Sequence, residues 1–255
     1  MNYAEVFAIV SLSGLAAVFL SYVVHRHLRV EVRASHQDVG AAVFLQLGVL
    51  FAVVLAFVFG EAFGEFGETQ RAIDLECGAL HAAAMFASSL PPRERQAILV
   101  PEANYIRDVV EIEWPEMRAH RAGNRKAYQS FEILIRNSAT LQVSDTSSSL
   151  IKAQILSLLS EAHAQREIRI YEASNGVPTI MWIVLIAISL LLMAFVCCAG
   201  LQRFFALALF SAEFAISVSS ILLVVRLLDY PFEGAIGLSS HDFSQTLDKV
   251  VSLTR

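Results

Sequence analysis

Long apolar runs broken by one extended polar region set the pattern of this chain. Four runs reach the roughly 20 residues that a helix needs to cross the hydrocarbon core of a bilayer. The first covers Ala4 to Val24, and the second covers Ala41 to Phe63 with Gln46 as its one polar interruption. The third covers Val177 to Ala199 and opens with Pro178, a residue suited to a helix start. The fourth covers Phe204 to Leu228 and contains a single acid, Glu213.

Between the second and third runs, from about Thr69 to Asn175, apolar positions recur with helical spacing. Four helices are predicted there: one ending near Ser89, then Arg93 to His120 with a kink near Pro101, Asn124 to Gln142, and Ser148 to Ser174. Leu90-Pro91-Pro92 is a break and restart, and Ser144 to Ser149 is a polar turn. The first and last of these helices meet the apolar runs without a breaker. They are expected to continue the second and third spans as long rods. After Leu228 a turn is predicted, followed by a short helix capped by Ser239 or Ser240, with Phe243, Leu247 and Val250 on one face.

The fold class that follows is an all-α membrane protein: four transmembrane helices with an inserted antiparallel helical-bundle extramembrane domain. The expected divisions are residues 1–64 for the first two spans, 65–175 for the extramembrane domain, 176–229 for the last two spans, and 230–255 for the terminal turn and helix.

Composition supports lipid as the solvent. Charged residues make up 17% of the chain, against about a quarter in soluble domains. The net charge of -5 and the lack of a basic tract argue against a nucleic-acid partner. Cys197 and Cys198 are adjacent in an apolar run and Cys77 stands apart, which is neither a disulfide framework nor a metal cluster. No positive segment precedes the first run, so that run is expected to be retained as a helix. Arg26, Arg29 and Arg33 lie in the first connection and Arg203 in the third. The positive-inside rule then places both connections in the cytoplasm. Both termini and the large domain are expected on the periplasmic side of a bacterial inner membrane.

Several segments resemble one family together. Leu228-Asp229-Tyr230-Pro231-Phe232-Glu233-Gly234 follows the last span, Glu113-Trp114-Pro115 sits mid-domain, and Gly60 to Leu90 leads from the second span into a helix ending at Leu-Pro. The chain resembles the bacterial bestrophin-like family, also called domain of unknown function 4239, over nearly its whole length. The resemblance implies a membrane protein. Its link to true bestrophins, which are oligomeric anion channels, implies anion conduction, with no functional residue carried over.

The residues point to candidate sites of their own. Gly60, Gly64 and Gly67 share one face of the second helix, and Glu61, Glu65 and Glu68 form the next stripe. Glycines permit close helix approach, and a ring of carboxylates in a symmetric assembly concentrates cations. The plainer account is a helix that leaves the membrane and becomes charged. Glu213 lies within the fourth span, where a carboxyl is costly and faces protein or water. Ser217, Ser220 and Gln202 share its direction along the helix. Gln46 is a possible hydrogen-bond partner in a purely structural account. Arg226 and Asp229 suit a local ion pair, and Asp229, Pro231, Phe232 and Gly234 are expected to form a structural turn, in which nothing requires Phe232 to line an entrance. Glu116 with His120, and the group His25, His27 and His36, fall short of a metal site, so no metal or cofactor is expected. Trp182 fits an interface belt and Trp114 fits the domain interior.

Motifs for nucleophilic, phosphate, zinc-protease or dinucleotide chemistry are missing from the sequence, and no enzyme is expected. The reading favoured is an oligomeric ion channel whose partners are the lipid bilayer, further copies of itself and inorganic ions. The acids lean toward cations and the resemblance toward anions. The alternative is a membrane sensor or scaffold with an extracytoplasmic helical domain. A transporter fits less well, since no pair of broken helices is visible.

Overall fold

Helices account for every regular element among the described residues, which in this computed structural model are 2–34, 37–143 and 145–254. His36 and Ser144, the first residue of the expected polar turn, lie outside them. The order is α1 (Tyr3–His27), α2 (Val30–Ala34), α3 (Gln37–Ser88), α4 (Pro92–Asp108), a π-helical turn (Val109–Glu113), α5 (Trp114–His120), α6 (Arg125–Thr140), α7 (Thr146–Ser174), α8 (Thr179–Cys197), α9 (Phe204–Leu228) and α10 (His241–Leu253). Four helices are long and apolar enough to cross a membrane.

The chain divides into two compact units, one made of Met1–Gly64 with Val177–Asp229, the other of Glu65–Gly176 with Tyr230–Arg255. In the first, α1 begins with a reciprocal cap. Asn2 Oδ1 accepts the Glu5 N–H at 3.0 Å, and Glu5 Oε2 accepts the Asn2 N–H at 3.0 Å. Its buried stripe is Gly14, Ala17 and Ser21. Lipid supplies no hydrophobic drive between helices, so small residues and hydroxyl pairs hold α1 to α9. Ser21 Oγ donates to Ser211 Oγ at 2.7 Å, and the Ser13 and Ser219 hydroxyls are 2.8 Å apart. A Cβ on Gly14 would stand 3.1 Å from the Ile216 side chain, so any larger residue requires that side chain to shift.

The helix before α8 differs from expectation. It does not run on into the third span: α7 ends at Ser174 and α8 starts at Thr179. Asn175 caps α7 with an extended backbone, and Pro178 brings no N–H. The Val177 N–H is instead taken by Asp229 Oδ1 at 2.6 Å. By contrast, α3 is one helix from Gln37 to Ser88.

The second unit is a helical bundle with a core that includes Leu80, Ile98, Tyr105, Phe131, Leu134, Ile155 and Phe243. Asn124 Oδ1 caps α6 by accepting the Lys126 N–H, and Asp145 Oδ2 caps α7 by accepting the Ser148 N–H. Pro101 stays inside α4. Its missing N–H leaves the Ala97 carbonyl without its usual partner, and Asn137 Nδ2 from α6 reaches that oxygen at 3.5 Å. The irregularity comes later, at the π-helical turn, where the Trp114 N–H bonds to the Val109 carbonyl. The wider turn accommodates Pro115, whose ring would crowd the carbonyl four residues back in a regular helix. Helix α10 buries Phe243, Thr246 and Val250 and packs chiefly on α4.

Candidate functional site

The packed face of α9 carries Leu207, Ser211, Val225 and Leu228. Glu213 lies two residues beyond Ser211, about 200° of helical turn away. It therefore points away from the chain's own packing and is exposed, as is Ser217, while Ser220 is half-buried. Gln202 is exposed too, but it precedes the start of α9 at Phe204 and so does not belong to the helical stripe expected for it. Gln46 of α3 is exposed too. No hydrogen bond or ion pair joins Glu213 to another described residue, so the structural account through Gln46 finds no support. The two helices do meet nearby: the rings of Phe44 and Phe214, two residues before Gln46 and one after Glu213, lie 6.2 Å apart.

On α3, Gly60, Gly64 and Gly67 form an open face, with nothing within 4 Å of where a Cβ would be. Glu61 and Glu68 are exposed and Glu65 is half-buried. The buried stripe of this helix is Phe51, Leu55, Val58 and Ala62, so the glycine face is turned away from the chain's own interior.

The segment after α9 is structural. Asp229 is buried, and so are Pro231 and Phe232. Phe232 packs its ring 5.2 Å from Trp114, which removes it from any entrance. Trp114 Nε1 donates to the Leu238 carbonyl at 3.2 Å. Gly234 has φ 79°, a left-handed conformation that favours glycine. Arg121 clamps the turn. Its guanidinium lies 3.4 Å over the Tyr230 ring and donates to both Glu233 oxygens, at 2.5 and 3.2 Å. Glu116 Oε1 stands 3.1 Å from His120 Nδ1 as a local pair.

Sequence spacing missed the most highly charged part of the molecule. Arg169 is fully buried, and its Nε and Nη2 donate to Glu76 at 2.8 and 3.3 Å. The same Nη2 donates to Glu113 Oε2 at 3.0 Å, and Arg166 Nη2 bonds to the other Glu113 oxygen. Tyr105 Oη donates to Glu76 Oε1 at 2.5 Å. Burial, with the Glu76 carboxylate beside it, pushes the Tyr105 hydroxyl well above its ordinary pKa. Two arginines and two carboxylates thus neutralise one another inside the bundle. Glu102 has no such help. It is fully buried, neither oxygen has a hydrogen-bond partner, and burial holds its carboxyl well above the ordinary carboxylate range.

Comparison with known proteins gives these features a setting. The profile of the Bestrophin-like domain family matches residues 12–243. A bacterial bestrophin homologue from Klebsiella pneumoniae, in a singly substituted crystal form, superposes with a TM-score of 0.75 at 14% identity, covering 96% of this chain and 98% of that one. A second structure of the Klebsiella pneumoniae homologue, phased on zinc, gives 0.74 at 15% identity over 95% and 97%. A crystal structure described as that of a membrane protein gives 0.75 at 15% identity over 96% and 98%. No curated protein matches the chain.

Proposed function

We propose that this chain, which belongs to the bestrophin-like family, is the subunit of an oligomeric ion channel of the bacterial inner membrane. One observation carries the reading. Glu213 is on a membrane-spanning helix, faces away from the chain's own core and has exposed Ser217 one turn further along the same face. A charged side chain in lipid costs at least about 2.5–3.5 kcal/mol. Packing several copies around an axis removes that cost by turning the stripe toward protein and water. The open glycine face of α3 supports the same assembly, because it offers close approach to a neighbouring helix. Brought to one mouth, Glu61 and Glu68 concentrate cations, and we infer a mild cation preference. From the arginines at positions 26, 29, 33 and 203 we infer that their end of the spans is cytoplasmic and that the helical domain and both termini are periplasmic.

The test is water access at position 213. Cys77 and Cys197 are buried and Cys198 is exposed, so Glu213→Cys is made with Cys198→Ser and the protein reconstituted in liposomes. A membrane-impermeant charged thiol reagent modifies position 213 if it lines a wet path. A thiol that reacts only after denaturation marks a sealed, protein-buried face and favours a sensor or scaffold.

A further inference from the structure

Arg33 of α2 is 7% exposed, and its hydrogen bonds to described groups reach no carboxylate. Its Nη1 donates to the Ala199 carbonyl at 2.8 Å and its Nη2 lies 3.1 Å from His25 Nδ1. Its Nε is buried without a partner. Ala199 lies one residue past Cys198, the C-cap of α8, near the negative end of the helix dipole, and its carbonyl also accepts the Leu201 N–H at 2.8 Å. These are neutral acceptors or fractional charges. A guanidinium taken almost wholly out of water needs a full counter-charge, and none of the described side chains is seen to supply one.

Arg33 also lines a cavity of about 740 Å³. Its other walls include Val43 and Phe44 of α3, Phe195 and Val196 of α8, and Phe210 of α9. That volume falls within the roughly 300–1,000 Å³ of small-molecule sites. Its occupant must be apolar over most of its length and anionic at one end. A soluble anion leaves the apolar walls unused. Arg26, Arg29 and Arg203, all exposed, occupy the same connections as Arg33 and favour a negative lipid surface.

We propose that this cavity holds an acyl chain of an anionic phospholipid whose phosphate is bound by Arg33. The lipid completes the charge balance of Arg33 and fills the space between the ends of α3, α8 and α9. This site is separate from ion conduction and stands whether or not the chain conducts.

The probe is a vesicle of equal parts phosphatidylglycerol and phosphatidylethanolamine. The protein is reconstituted, re-extracted in mild detergent, and its retained lipid counted by mass spectrometry. The expected result is a preference for phosphatidylglycerol of about tenfold or more, reduced to near parity in Arg33→Gln. Val43→Trp, which keeps the charge but fills the cavity, is expected to lose retention of both lipids, and it preserves the test if Arg33→Gln fails to fold. Equal retention of the two lipids by the wild type overturns the proposal, as does an undiminished preference in Arg33→Gln. Retention of no lipid by the wild type also overturns it and assigns the groove to a second copy of the chain.

Discussion

Replacing Arg169 with Met keeps the length of the side chain and removes its charge. Three hydrogen bonds to carboxylates disappear, two to Glu76 and one to Glu113. Glu113 keeps Arg166 and the Asn124 N–H, but Glu76 keeps only the Tyr105 hydroxyl, a hydrogen-bond donor that carries no charge. Breaking a buried ion pair from one side costs about 3–5 kcal/mol, because the partner stays behind as an uncompensated charge. For a chain of this size the thermal midpoint is expected to fall by roughly 6–20 °C. The assay is thermal unfolding in detergent, read by the fluorescence of Trp114 and Trp182. Adding Glu76→Met to Arg169→Met removes the stranded charge and is expected to restore most of the loss, since apolar replacement of a whole buried pair is often neutral. The Tyr105 hydroxyl then lacks its acceptor, so recovery stops short by about 1–3 kcal/mol. A midpoint for Arg169→Met within about 2 °C of wild type would refute the reasoning. So would losses that simply add in the double variant.

Glu102→Met is expected to stabilise the protein, by on the order of 1–3 kcal/mol at neutral pH. The folded chain holds the Glu102 proton where the unfolded chain releases it, so wild-type stability falls as pH rises from about 4.3 toward the raised folded value. The gain from Glu102→Met should therefore be smaller at pH 4 than at pH 7, and denaturation curves at the two pH values that show the same gain would contradict it. Gly14→Leu drives a side chain into Ile216 of α9 and is expected to destabilise the membrane unit by about 1–3 kcal/mol, seen as a lower thermal midpoint, while Leu15→Ala on the exposed face leaves it unchanged.

The spans were legible because the apolar runs are long and their ends are marked. The fourth run and α9 share Phe204 and Leu228 as boundaries. The outward direction of the Glu213 stripe was half legible. Helical spacing gathers Glu213 and Ser217, but Gln202 falls before the helix start, and only packing decides that Ser211 faces inward and Glu213 outward. Phe232 was legible as part of a structural turn, but its burial was not, because it depends on Trp114 from far away in sequence. The ladder of Glu76, Glu113, Arg166 and Arg169 was not legible. Its members are 93 and 56 residues apart across the Arg169 contacts, and isolated charges on a bundle helix look like a solvated face. A faint signal was present in Arg166 and Arg169, three apart on one helix face, with Arg169 set between Ile168 and Ile170.

The central claim is conduction by an assembly of this chain. Its most direct test is the reversal potential of currents from purified protein in planar bilayers under a potassium chloride gradient. The account predicts ion currents that reverse on the potassium side of zero and move toward zero in Glu61→Gln with Glu68→Gln. A verified oligomer that passes no ions contradicts the channel, and reversal at the chloride potential contradicts the role given to the acids.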